Sequence, residues 1–422
     1  MAAYLRTPGT ADGGSINEIL WGENALSDGA WERCYWRHFS PVQSLSNSAA
    51  SADFTLPAHT GPGFYDFRKL QLRVHLRIKN SRDGGIIPGE HIVFPVNNPL
   101  NSFLKDFRVH LNNKNVTPHY SNCGYKAQVQ GALAFNQDVR TNKLYTSGCS
   151  WDTSGHLNDL AADPIEKEYL NKGILGRTSF FANVREAERP PKANWAITKG
   201  RGYLQGPILT DLASLPVGIP PGVKVDVHMA FADAKWFLLM TEEALADHVN
   251  PTYEVEKLEL SIMVRELPSD LYVRYMADLN RKAAVQHYVG SNLTYRALRE
   301  GAAQCAEQDV FAGTTVPARA FLMVVEAASY NGDFMKNPYN FSRRFGPKDA
   351  PLNLLKIEVT INGTPVDDYV STESEQHPQD CMAYNRFLEY TGQADTNKFS
   401  PNIRFDEFAG NGRLKPSPAL YI

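Results

Sequence analysis

The chain offers little to work with for chemistry. Its five cysteines, at 34, 123, 149, 305 and 381, form no Cys-x-x-Cys pair and no zinc spacing. A scattered, odd set of this kind is expected to be buried or idle thiols in a reducing compartment. No apolar stretch is long enough to cross a membrane, and Met1–Gly14 lacks the charged start and apolar core of a signal peptide. The Asn-x-Thr matches at Asn115 and Asn292 are therefore read as chance. Lys and Arg number 43 against 46 Asp and Glu, a net charge of −3, with no basic run or tail. That balance argues against tight binding to a phosphate backbone. Neither a Gly-x-Ser-x-Gly elbow nor a His-Glu-x-x-His helix is present.

What the chain has instead is aromatics, turns and alternation. At 422 residues it suits two domains of ordinary size, and its 30 Gly and 26 Pro suit strands joined by many turns. Leu70, Leu72, Val74, Leu76 and Ile78 alternate with Gln71, Arg73, His75, Arg77 and Lys79. A period of two puts the apolar set on one face of a strand and the polar set on the other. Val223 to Phe231 repeats the pattern, and so does Leu258 to Val264, with Glu259, Ser261 and Met263 expected to face outward. Half-buried antiparallel strands of this kind build sandwiches. Helices are expected only at about 127–135, 164–170, 241–247, 269–279 and 379–390. They do not alternate with strands as βαβ units would.

The chain also repeats itself. Asn98-Pro99-Leu100-Asn101 precedes an alternating run, Phe107 to Leu111, that closes on Asn112-Asn113. Asn337-Pro338-Tyr339-Asn340 precedes Leu355 to Ile361, which closes on Asn362-Gly363. Val109 and Val359 stand 250 positions apart, which is the scale of a duplicated domain and not of a solenoid repeat. Asn-Gly supplies the positive φ of a tight hairpin turn, and Asn-Asn does so less well. A short helix is expected after each hairpin, beyond Cys123-Gly124-Tyr125 and beyond Cys381-Met382-Ala383-Tyr384. Residues 1–50 show little periodicity but carry Trp21, Trp31, Tyr35, Trp36 and Phe39, and are expected to be an arm that lies on something.

Several constellations invite a catalytic reading. Gly200-Arg201-Gly202-Tyr203-Leu204-Gln205-Gly206 looks like a phosphate loop, but its third glycine is misplaced and no Lys-Ser/Thr follows, so a β segment is expected. His75, His110 and His228 would hold a metal only if their strand faces met; surface histidines are the expectation. Glu254, Glu256 and Glu259, and the pair Asp367-Asp368, contain enough carboxylates for glycoside hydrolysis, yet charges on strands usually form a solvated face. No catalytic, cofactor-binding or metal residue is expected.

The order and spacing of several motifs resemble the double jelly-roll major capsid proteins of Polinton (Maverick) elements and the related adintoviruses and adomaviruses. The likeness runs through Trp31, Phe39-Ser40-Pro41, Phe54-Thr55-Leu56-Pro57 and Tyr65-Asp66-Phe67. It continues through Val96 to Phe103, Val109 to Asn112, Val116-Thr117-Pro118, Tyr145 and Trp151 to Gly155. In the second half it takes in Phe334 to Phe341 and Ile357 to Gly363. The resemblance implies an all-β chain of two tandem eight-stranded jelly rolls: an arm at 1–50, a first roll at 51–245 and a second at 246–422. It implies homotrimers of pseudo-hexameric outline that tile an icosahedral shell around DNA, beside neighbouring capsomers and a penton or minor capsid protein. The place would be the virion capsid, with no enzyme activity, no cofactor, no specific nucleic-acid binding and no membrane span.

Relatives continue past the position of Ala419-Leu420-Tyr421-Ile422, so the second roll is expected to be incomplete at its C-terminus and the chain alone unstable. Two other classes remain open: a carbohydrate-binding tandem β-sandwich, and more remotely a cupin-like enzyme, for which the histidines lack a suitable spacing.

Overall fold

The computed structural model describes most of residues 31–157, residues 171–178, most of 201–297 and 321–345, and shorter runs within 352–394 and at 420–421. Trp21, the helix expected at 164–170, Cys305, Cys381, Asn362-Gly363 and Ile422 lie outside the described residues.

Among the described residues the architecture is strand upon strand with few helices. The first part contains β1 (Arg33–Phe39), β2 (Ser51–Leu56), β3 (Gly63–Asn80), β4 (Val93–Pro95), β5 (Leu104–Leu111) and β6 (Lys114–Asn115). After a gap come β7 (Arg201–Pro207), β8 (Val225–Phe231), β9 (Leu238–Met240) and β10 (Pro251–Glu266). Helices α1 (Pro99–Ser102), α2 (Cys123–Ala134) and α3 (Gly173–Thr178) interrupt this part, and α4 (Ser269–Leu279) follows it.

Four pairs nest one inside another, while β4 pairs with β9 outside that order. β1 pairs with β10, β2 with β8, β3 with β7 and β5 with β6, all antiparallel. A long two-stranded ribbon is thus laid down with β5–β6 at its closed end. Wrapping that ribbon round a core brings β10 against β3 and β8 against β5. The result is two four-stranded sheets, β1-β10-β3-β7 and β2-β8-β5-β6. That is the strand order of an eight-stranded jelly roll. The Asn112-Asn113 turn at the ribbon's closed end has φ of 46° and 68°, the positive values a tight hairpin needs.

The alternating residues face inward as their period requires. Leu70 to Ile78 of β3, Leu258 to Val264 of β10, Phe54 and Leu56 of β2 and Val225 to Phe231 of β8 enter one continuous core. Phe103 fastens the sandwich at one end, with ring centroids 4.7 Å from Phe231, 5.8 Å from Phe237 and 5.6 Å from Tyr253.

Three expectations change. Residues 33–39, expected within the arm, form the edge strand of the first sheet, because Tyr35 and Phe39 alternate inward onto the core. The strand at 251–266, expected beyond the first roll, is hydrogen-bonded on both sides, to β1 and to β3, within the first sheet. Ser261 is buried instead of outward, covered by His38, whose Nδ1 lies 2.7 Å from the Ser261 hydroxyl.

The second part shows the repeat. α5 (Ala327–Asn331) follows β11 (Leu322–Met323), and short strands β12 (Arg344–Phe345) and β13 (Leu352–Asn353) precede a hairpin of β14 (Lys356–Ile361) and β15 (Thr364–Val370). A last strand, β16 (Leu420–Tyr421), pairs with β11. Ile361 is paired with Thr364, so two residues connect β14 to β15, as Asn112-Asn113 connect β5 to β6. Helical residues at 384–385, 387–389 and 391 stand where α2 stands in the first copy. Both Asn-Pro-x-Asn motifs form the same turn: Asn101 N–H donates to Asn98 O at 3.2 Å and Asn340 N–H to Asn337 O at 3.1 Å.

Phe103→Ala is expected to cost about 3–5 kcal/mol, because it opens a cavity where three elements meet. A denaturation midpoint by chemical unfolding measures it, and a loss below about 1 kcal/mol would mean that Phe103 does not hold the sandwich end.

Candidate functional site

The groups singled out in the sequence do not converge. His75 lies on the outer face of the first sheet, whereas His110 and His228 lie on the outer face of the second, with the core between them. His75 meets Tyr203 edge-on at 4.5 Å, and burial together with Lys257 and Arg73 lowers its imidazole below the ordinary range. His228 pairs with Asp53 across the strands at 2.6 Å. Three carboxylates of β10 are taken up by cations: Glu254 by Lys79 at 2.5 Å, Glu256 by Arg201 at 3.1 Å, and Glu259 by Arg73 at 3.6 Å and Lys257 at 3.5 Å. Solvent-facing pairs across strands contribute a few tenths of a kcal/mol to about 1 kcal/mol each and fix register more than they add stability. The glycine-rich stretch from Arg201 is strand β7, in which a Cβ on Gly206 would sit 1.8 Å from the Ser147 hydroxyl. Side chains of Asp367 and Asp368 lie outside the described residues. Among the described residues no group of three His, Cys, Asp or Glu is placed to hold a metal.

What the fold does bring together is polar support and aromatic glue. Asn97 donates from Nδ2 to Ser150 O and to the Asp152 carboxylate, both at 2.8 Å. Two motifs more than fifty positions apart in the chain are joined by those bonds. Arg177, 1% exposed, completes the knot by donating to Pro95 O at 3.0 Å, Ser150 Oγ at 2.8 Å and Asp152 Oδ1 at 2.6 Å. A guanidinium buried with its donors so occupied is a strut and not a reagent. A second buried pair, Lys126 of α2 with Asp211 at 2.7 Å, lies beside a small cavity lined by Thr117, Cys123 and Leu209. Burial lowers the Lys126 ammonium below its ordinary range and Asp211 opposes the shift.

The two halves of the chain meet at an aromatic seam. Tyr125 of α2 lies 5.9 Å from Trp236, 6.3 Å from Tyr330, 5.2 Å from Tyr339 and 6.1 Å from Phe341, centroid to centroid. The approach of Tyr339 requires Gly124, where a Cβ would stand 2.2 Å from the Tyr339 oxygen. Burial raises the Tyr125 and Tyr339 hydroxyls well above their usual range, so both stay neutral. Further along α2, Val129, Ala132 and Leu133 pack on Phe387, which lies in the helical segment of the second copy. The duplicated helices therefore pack against each other. The repeat of Asn-Pro-x-Asn, and of a Cys followed closely by a Tyr ahead of a helix, was legible in sequence, but Trp236 and Tyr330 carried no signal that they would face it.

Two of the described thiols are inert by position. Burial pushes Cys123 and Cys149 up to about 12, while Cys34 is exposed on the edge strand.

No family model matches the chain. Over 320 residues it is 23% identical to uncharacterized protein F54H12.2 of Caenorhabditis elegans, a match covering 75% of this chain and 66% of that protein. The chain thus spans just under two thirds of that relative's length. Among solved structures it is similar to the Sputnik virophage structure determined by cryo-EM, with 9% identity and a TM-score of 0.37 over 58% of this chain and 49% of that one. It is similar to the Faustovirus major capsid protein at 10% identity and a TM-score of 0.34, covering 58% and 56%. For the mavirus major capsid protein the values are 12% and 0.31, covering 64% and 54%.

Arg177→Met is expected to destabilise by about 3–5 kcal/mol, since it leaves the Asp152 carboxylate buried without its cation. Thermal unfolding of the variant tests this; a change under about 1 kcal/mol would show the knot to be dispensable. With an alkylating reagent at neutral pH, Cys34 is expected to label well ahead of Cys123 and Cys149 when mapped by mass. Equal labelling of the three would contradict the buried placement.

Proposed function

We propose that the chain is a major capsid protein of the double jelly-roll kind, whose work is self-assembly. The observation that carries this reading is the seam: one complete jelly roll is joined through α2, Tyr125 and Tyr339 to a second copy of its own turn, hairpin and helix. Two similar sandwiches locked into one block make a wall-building unit, since three such blocks in a ring present six near-equivalent sides. The outer strand faces support it, with acids and bases paired across strands. We assign the first roll to 33–266 and the second to the part beyond the connecting segment after α4. The subunit would form homotrimers of pseudo-hexameric outline within an icosahedral shell around DNA, beside a penton or minor protein, in a virion of the Polinton or adintovirus type. Closed trimers use head-to-tail contacts, so the two rolls would present different surfaces.

A second reading, carbohydrate binding, is favoured by one feature. Tyr203, 50% exposed, lies on the first sheet beside His75, Arg73 and Gln205 in a shallow open groove. Such an aromatic platform with planar polar neighbours suits a sugar ring.

Light scattering with negative-stain imaging separates the two. Capsid function predicts a mass of three 47.1 kDa chains and particles with hexagonal outline. A stable monomer without such particles, whose glycan binding is abolished by Tyr203→Ala, would replace the capsid reading with the second.

A further inference from the structure

We propose that the surface segment from Gln286 to Tyr295 is a strap that sets how the second half of the chain docks on the first, with Asp211 as its buckle. The segment follows α4 and its described residues are largely exposed; Tyr288 and Tyr295 are 37% and 57% exposed. A mere connector on the surface would leave its polar atoms to water. Here three of its residues bond in turn to separate elements of the first roll. Gln286 Nε2 donates to Gly218 O at 2.7 Å, ahead of β8. The Tyr288 hydroxyl donates to Val116 O at 2.5 Å, just beyond β6. Ser291 donates twice to the Asp211 carboxylate, from its backbone N–H and from its hydroxyl, each at 2.9 Å.

The buckle is anchored from below. Asp211 is 6% exposed and is held at 2.7 Å by Lys126, the residue next to Tyr125 on α2. Beyond the buckle, Leu293 packs on the core, and the Tyr295 ring lies 5.8 Å from Tyr330 of α5. Tyr330 in turn contacts Tyr125 and Trp236. Buckle and seam therefore share one helix, and the strap delivers the chain into the seam at a fixed place. Its ordering reduces the conformational freedom that the second half would otherwise lose when it docks. The strap is a property of the single chain and stands apart from the capsid reading.

Hydrogen–deuterium exchange on the full-length chain tests it, using the double variant Tyr288→Phe with Ser291→Ala. Both substitutions remove only hydroxyl bonds and leave the Ser291 backbone N–H bond to Asp211 in place. Amides of 327–341 are expected to exchange on the order of tenfold faster, with those of β3 and β10 unchanged. Ser291→Thr, which keeps the hydroxyl, should restore slow exchange in the Tyr288-intact chain. If exchange quickens only within 286–295, the segment is a surface connector and the inference fails. If β3 and β10 quicken equally, these bonds serve the first roll in general, and the inference fails as well.

Discussion

The antiparallel pairing of β10 with β3 is the constraint on which the rest of the structure depends. These are the two longest strands, and each is hydrogen-bonded on both sides. Their pairing closes a loop running from Asn80 to Pro251, so its entropic cost falls due before most of the sandwich exists to repay it. Once made, it fixes which side chains share a face. β1 and β7 then have templates on either flank, and the second sheet is held by the apolar faces that β3 and β10 turn inward. A slip of one residue would turn Leu72, Val74 and Leu76 to water and Arg73 and His75 into the core. The cross-strand ion pairs on the outer face reinforce the same register.

The connections between strands carry the polar groups that cannot be left unpaired. Asn97, Ser150, Asp152 and Arg177 come from three separate segments, and their bonds replace the water that those groups lose on burial. The Asn98-Pro99-Leu100-Asn101 turn belongs to the same region. Asn98 adopts φ 52°, a left-handed value that asparagine tolerates better than most residues, and Asn101 accepts a bond from Leu209 N–H at 3.0 Å. The second copy keeps the turn but uses it differently. Tyr339, at the place of Leu100, enters the aromatic seam. One motif thus serves a roll's own packing in the first copy and the contact between halves in the second.

Much of this was legible in the chain. A period of two in β3, β8 and β10 reports faces directly, because the pleat converts sequence parity into side of sheet. Asn112-Asn113 reports a turn because positive φ is cheap there. The repeat of turn, hairpin and helix reports duplication. β1 was missed as a strand because Arg33, Trp36 and Arg37 interrupt any apolar alternation, and an edge strand needs only one face of partial cover. The stretch around 241–250 reads as a linker because it is polar, and nothing local in it reports that the strand after it, β10, pairs with β1 and β3.

Sequence by itself determined the class of structure, the faces of the long strands and the tight turns, since each depends on neighbours within a few residues, and the two related halves, since a motif can be compared with its copy without any fold. Tertiary structure alone decided that β10 returns to the first roll, that Asn97 meets Asp152, that Gly124 leaves room for Tyr339 and that Ser291 reaches Asp211. Those contacts join residues from about 50 to more than 200 positions apart. Their geometry is fixed by how the ribbon wraps, and no local preference of the chain encodes that.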